Sequence, residues 1–148
     1  MNIRPLESRD IEAILAIQSA CPEIAQWMMP DYARVAGGEM AGWVCEGEAD
    51  IRGFLVARPS GSDIEILNLA VRPEARRLGI GASLLRRVLE WGSSQHAERA
   101  ILEVRVSNAL ALLFYERFDF QLAGRRPRYY TSPPEDALLL AASLPKIE

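Results

Sequence analysis

Three observations predict an α/β fold, a mixed sheet with helices on both faces. The first half of the chain holds a run of strand-like segments joined by tight turns, as antiparallel strands are. The second half alternates strand, helix, strand, helix, strand. At 148 residues, 49% hydrophobic and 25% charged, the chain has the size and composition of one folded domain, taken as residues 1–148.

The elements follow in order. Residues 2–6 form a short edge strand. Ser8 is placed to cap a helix running to residue 19, whose apolar stripe is Ile11, Ile14, Leu15 and Ile17. Residues 21–40 show no clear period, since Pro22 and Pro30 break them around an apolar Trp27-Met28-Met29. Strand-like residues 42–46 and 51–58 flank Gly47-Glu48, which reads as a hairpin. The run Pro59-Ser60-Gly61-Ser62 turns the chain into a strand over 63–71. A strong helix spans 79 to about 95 and buries Leu84, Leu85, Val88 and Leu89, with Trp91 beside them. Residues 100–106 alternate, placing Leu102, Val104 and Val106 on one face and Ile101, Glu103 and Arg105 on the other. A helix over 108–118, a strand to about 124 and a last strand near 137–142 complete the order.

Composition narrows function. A net charge of −3 argues against nucleic-acid binding. Two cysteines and one histidine supply neither a disulfide framework nor a usual zinc site, so no metal is expected. No apolar run reaches the roughly 20 residues of a membrane span, and the first residues lack a secretory pattern, so a cytoplasmic protein with no membrane partner is expected. Arg72, Arg76, Arg77, Arg86 and Arg87 cluster over 72–87 against Glu74 alone. Such a cluster in an acidic protein suits a local anion, such as phosphates; a solvated helix face is the alternative.

The most informative stretch runs from Asn68 to Ala82, where a strand enters a loop and Arg76-x-x-Gly79-x-Gly81 opens a helix. Glycines let an anion approach the backbone, and the free N–H groups of the helix start point at it. Arg76 and Arg77 can add charge-assisted bonds. A P-loop fits poorly, because Ala82-Ser83 stands where Lys-Ser/Thr is required. A dinucleotide fingerprint also fits poorly, because Leu84 stands in place of its third glycine.

On these residues the chain resembles the GNAT superfamily of acetyl-CoA-dependent N-acetyltransferases, whose cofactor motif is Gln/Arg-x-x-Gly-x-Gly/Ala behind a strand ending as Leu69-Ala70-Val71 does. The resemblance implies the GNAT fold: a central, mostly antiparallel sheet of about six or seven strands with a splayed central pair. It implies that the amides around Gly79, Gly81 and Ala82 hold the CoA pyrophosphate. It also implies that the backbone of Leu69 and Val71 pairs with the pantetheine arm, leaving the thioester between strands 63–71 and 100–106. A narrower similarity, to the bacterial ribosomal-protein alanine N-acetyltransferases (RimI type), lies in residues 102–116, in Arg126-Pro127-Arg128-Tyr129-Tyr130 and in Glu135-Asp136-Ala137. The chain departs from the family pattern at Asp119, where glycine is usual, and at Pro127, which interrupts the basic tail. Aspartate tolerates a left-handed turn, so the fold is expected to hold.

N-acetylation needs a neutral amine, a polarised thioester and a proton for the departing thiolate. A protein α-amine titrates near 7.7–8, so about a tenth is neutral at pH 7, against about one lysine in a few thousand. A modest base acting through water is enough for an N-terminal acceptor. Glu103 is the candidate base, the position where the resemblance places the family's, with Glu65 in reserve; a surface carboxylate paired with Arg105 is the alternative. Tyr115, two helical turns after Asn108, matches the family's general acid, with a core tyrosine as the alternative. Asn108 either caps its helix or bonds the pantetheine amide, the second being expected. The basic and tyrosine-rich 125–130 can hold an acceptor peptide, and Trp27 can correspond to an acceptor-loop aromatic. The function expected is acetyl transfer to a protein N-terminus, the alanine of a ribosomal protein, by direct attack in a ternary complex. The alternatives are acetylation of a small-molecule amine and a non-catalytic CoA-binding module.

Overall fold

In the computed structural model, which describes residues 2–146, every strand-like run joins one sheet. Its strands are β1 (Asn2–Pro5), β2 (Ala41–Glu46), β3 (Ile51–Ser60), β4 (Asp63–Val71), β5 (Arg99–Arg105), β6 (Gln121–Thr131) and β7 (Pro134–Ser143). They lie in the order β1-β2-β3-β4-β5-β7-β6, and only β4 and β5 run parallel. Helices α1 (Ile11–Ser19) and α2 (Met29–Ala36) cover one face; α3 (Ile80–Ser94) and α4 (Ala109–Glu116) cover the other. The mixed sheet with helices on both faces is thus the one expected.

Two apolar cores follow from the alternation of the strands. Ile14, Ile17, Tyr32, Val44, Phe54 and Val56 pack under α1 and α2. Leu55, Ile64, Leu84, Leu85, Val88 and Leu102 pack under α3 and α4. Strand β4 changes allegiance between the two. Val56 of β3 lies opposite Asn68 while Ala57 lies opposite Ile66, so Leu67 is an extra residue on β4. Such a bulge bends its strand and reverses which residues face each side. Ile64 and Ile66 therefore join the α3 core, whereas Ala70 joins the α1 core. Before the bulge β4 pairs with β5, at Ile64↔Ala100 and Glu65↔Ile101; beyond it the two strands part.

Several boundaries differ from expectation. Ser8 does not cap α1: residues Ser8–Asp10 form a 3₁₀ turn, and the Glu7 N–H donates to Asp10 Oδ2 at 2.8 Å. Helix α2 arises within the stretch that showed no period, because Pro30 sits in its first turn, where a missing N–H costs nothing. Strand β6 continues well past residue 124. It is an edge strand exposed along most of its length, so no burial alternation marks it.

Arg4 ties β1 to this framework. Its guanidinium donates to both Asp10 carboxylate oxygens at 2.8 Å and to Glu46 of β2 at 2.8 Å, and Asp10 is buried. Burial alone would raise the Asp10 carboxyl, but the hydrogen bonds from Arg4 and the Glu7 N–H outweigh it and hold it below the usual carboxylate range. Stability from this group is therefore complete above about pH 4 and is lost as pH falls below that value. Asp10→Asn is expected to cost about 3 kcal/mol in urea denaturation at pH 7, the low end for a broken buried pair because Arg4 keeps Glu46. The variant is also expected to lose part of the acid-dependent decline; an unchanged decline would place that dependence elsewhere.

Candidate active site

The parting of β4 from β5 opens a cavity of about 780 Å³. Its walls are the loop between α1 and α2 (residues 22–27), facing stretches of β4 and β5, the inner side of α4 and the β6–β7 turn (129–132). Alternation along β5 buries Leu102 and Val104 and leaves Glu103 on the cavity side. One oxygen of Glu103, Oε1, lies 3.4 Å from Arg126 Nε. The other, Oε2, is buried and has no hydrogen-bond partner among the described residues.

The neighbouring charges are already matched. Arg105 does not take Glu103: it donates to Glu135 at 3.1 Å and to the Ser132 and Pro133 carbonyls at 3.2 and 3.1 Å. Its guanidinium also stacks 4.2 Å from the Tyr130 ring centroid. Glu65, the reserve carboxylate, lines the same cavity but accepts two bonds from Arg58, at 3.1 and 2.9 Å. Both Arg58 bonds fall on Glu65 Oε1, so the two acids are separated by burial: the spare oxygen of Glu103 is the buried one.

Tyr115 reaches the cavity from α4, packed between Phe114 and Phe120 with ring centroids 5.1 and 5.3 Å away. Burial pushes its phenol up, disfavouring the phenolate and keeping the proton on oxygen. Asn108 lines the cavity too, and its Oδ1 accepts the Ala111 N–H at 3.2 Å, capping α4. The following turn ends at Asp119 with φ 65°, the left-handed geometry expected where glycine is usual.

At the open end of the gap, Arg77 (φ 67°) and Gly79 (φ 80°) turn the loop before α3. Ser83 is the first residue to bond back along α3, to the Gly79 carbonyl at 3.0 Å. The N–H groups of Ile80, Gly81 and Ala82 therefore have no acceptor within the helix. Gly81 faces α4, where an added Cβ would come to 3.5 Å of Phe114. Leu69 and Val71 lie beyond the last β4–β5 pair, on the edge freed by the splay. Arg77 is exposed beside this start, while Arg76 reaches the other way, 3.2 Å from both Glu23 and Cys21 Sγ.

The structure thus brings Glu103, Tyr115 and Asn108 to one cavity, while the glycine loop follows the end of β4 and opens α3. Buried Gln18, Tyr32 and Asn68, which the sequence reading passed over, lie directly behind the 22–27 loop. The available signal was an asparagine inside an otherwise apolar strand, Leu67-Asn68-Leu69.

Residues 11–120 match the acetyltransferase (GNAT) family. The chain is 28% identical over 142 residues to the ribosomal protein bS18-alanine N-acetyltransferase of Escherichia coli K12, covering 95% of each protein. It is 31% identical over 158 residues to an N-alpha-acetyltransferase of Sulfolobus acidocaldarius, covering 97% of this chain and 92% of that one. The crystal structure of the Escherichia coli ribosomal-protein-S18-alanine N-acetyltransferase superposes with a TM-score of 0.87 at 26% identity, covering 99% of this chain and 96% of the other. The chain belongs to the acetyltransferase (GNAT) family, and the resemblance drawn from its motifs holds along nearly its full length. It is an N-acetyltransferase; of these relatives, one is named for alanine N-acetylation of a ribosomal protein and one for N-alpha-acetylation.

Because Glu103 contributes one long contact with an exposed arginine, its carboxylate serves the fold little. Glu103→Gln is expected to leave stability within about 1 kcal/mol of the parent in chemical denaturation. A larger loss would make Glu103 a structural residue.

Proposed function

We propose that the chain transfers the acetyl group of acetyl-CoA to a protein N-terminal α-amine, the alanine end of a ribosomal protein. In this reading transfer proceeds by direct attack in a ternary complex, and residues 1–148 work in the cytoplasm as one catalytic domain without a metal. The carrying observation is the unpartnered Glu103 Oε2, a proton acceptor held inside the gap between β4 and β5. The identities of the relatives support the acceptor class.

The residues present fit the cosubstrate. Three free amides at the start of a 15-residue helix, turned by a left-handed glycine, suit a pyrophosphate. In this reading Gly81 and Ala82, with Ile80, supply those amides and Gly79 turns the loop toward the ligand, with Arg77 beside them and Arg76 anchoring the strand end. The freed edge of β4 at Leu69 and Val71 offers main-chain bonds to an extended arm, and Asn108 one amide more. Acetyl-CoA, when bound, supplies an acetyl carbonyl activated as a thioester.

Glu103 then accepts, through a water, the proton that the amine loses as its nitrogen bonds to the carbonyl carbon. Arg126 lies against the other carboxylate oxygen, at 3.4 Å. Tyr115 gives its phenolic proton to the sulfur as the C–S bond breaks. Burial keeps that proton in place until negative charge develops on sulfur, so donation is concerted with cleavage.

Coenzyme release with an alanine-starting peptide panel, set against free polyamines and amino acids, tests this function. Release with peptides alone is expected; release with free amines alone would move the substrate to small molecules. Tight coenzyme binding with no release would make the chain a binding module. Tyr115→Phe is expected to lower turnover by about 100-fold or more at unchanged coenzyme affinity, the usual worth of a positioned acid. Equal turnover would remove Tyr115 from that role.

A further inference from the structure

Loop 22–27 walls the cavity opposite β5, yet its backbone has few partners of its own. Two buried side-chain amides supply them, and a buried tyrosine links the two. The Gln18 amide bonds both ends of one peptide residue: Nε2 donates to the Trp27 carbonyl at 2.7 Å, and Oε1 accepts the Trp27 N–H at 2.9 Å. Asn68 Nδ2 donates to the Ala25 carbonyl at 3.0 Å. The Tyr32 hydroxyl joins the two amides, donating to Gln18 Oε1 at 2.6 Å and accepting from Asn68 Nδ2 at 3.2 Å. Gln18 and Asn68 are each 5% exposed and Tyr32 is fully buried.

Burying two amides is costly unless nearly every donor and acceptor is met, and here they are met by the loop. Side chains that only joined α1 to α2 would bond between helices. These bond to loop main chain at Ala25 and Trp27, in the manner of a missing strand partner. Asn68 is available because it follows the extra residue Leu67, so the bulge that opens the gap also turns this amide toward the loop.

We propose that Gln18, Asn68 and Tyr32 are positioning residues that fix the acceptor wall and thereby exclude bulky first residues from the acceptor site. The proposal rests on the peptide-acceptor function above. A pinned wall, with Ile24 and Trp27 lining the cavity and packed on the same core as Leu67, cannot retreat to admit a larger side chain. A small first residue leaves the wall in place.

The test uses Gln18→Met, which keeps length and removes both bonds, and the milder Tyr32→Phe. Amide hydrogen exchange at Trp27 and kinetics with peptides beginning in Ala, Ser, Leu and Met are measured for the full chain and both variants. Exchange at Trp27 is expected to quicken while the β3 and β4 amides keep their protection. The preference for Ala over Leu is expected to fall about tenfold through KM, with kcat on the Ala peptide and acetyl-CoA affinity unchanged. Tyr32→Phe is expected to move the same readouts in the same direction, by less.

Unchanged Trp27 exchange or unchanged selectivity in a folded Gln18→Met chain overturns the proposal. If that variant does not fold, the same results in Tyr32→Phe overturn it. Failure of the parent chain to turn over any peptide overturns the peptide-acceptor function instead, and the exchange measurement still decides whether the network holds the loop.

Discussion

One extra residue in β4 organises this molecule. Leu67 shifts the strand against β3, bends it, and exchanges the residues that face each helical layer. The parallel pairing with β5 consequently stops after two residue pairs. A parallel pair in a sheet covered on both faces would ordinarily zip along its length, because unpaired main chain is costly inside a protein. Here the lost pairing becomes the route through the sheet, with free main chain on one side and a carboxylate on the other. The tyrosine of α4 and the α1–α2 loop line that route, and the glycine turn before α3 follows the end of β4.

Around the gap, arginines are allotted to carboxylates one by one. Arg58 takes Glu65, Arg105 takes Glu135, Arg125 takes Asp136, and Arg99 takes Asp63. Glu103 receives only the long contact from Arg126, so its other oxygen is buried without a hydrogen-bond partner among the described residues. The exposed pairs contribute little stability individually. Among these acids Glu103 is set apart by a spare oxygen that is buried.

Much of this was legible in the chain itself. The glycine loop was readable because φ above zero and close backbone approach both demand small residues. Asp119 could be trusted for the related reason that aspartate accepts left-handed geometry, and it adopts it. Alternation put Glu103 opposite Leu102 and Val104, as found, although the strand ends at Arg105 and Val106, expected beside those two, is exposed in the turn beyond. Other features depended on distant contacts. Arg105, two residues along the same strand face, looked like the natural partner of Glu103, but the β6–β7 turn claims it. Arg76 belonged by spacing to the glycine loop, but Glu23 and Cys21 lie closer in space than any sequence pattern reveals. The helix beginning at Met29 was hidden because a proline reads as a breaker unless the helix start is already known.

Strand β6 carries a further consequence. Its outer edge is open, and over most of its length its side chains meet solvent. Between Arg126 and Tyr130 it loses register with β7, with Pro127 lacking an N–H and Arg128 at φ 53°. Asp136 secures the irregularity by accepting the Arg128 N–H at 2.9 Å and the Arg125 guanidinium at 2.7 Å. A ribbon so kinked and cationic is a poor template for another chain's strand. The molecule therefore keeps its longest open border from seeding intermolecular sheets, and does so with the segment that walls the cavity between β4 and β5.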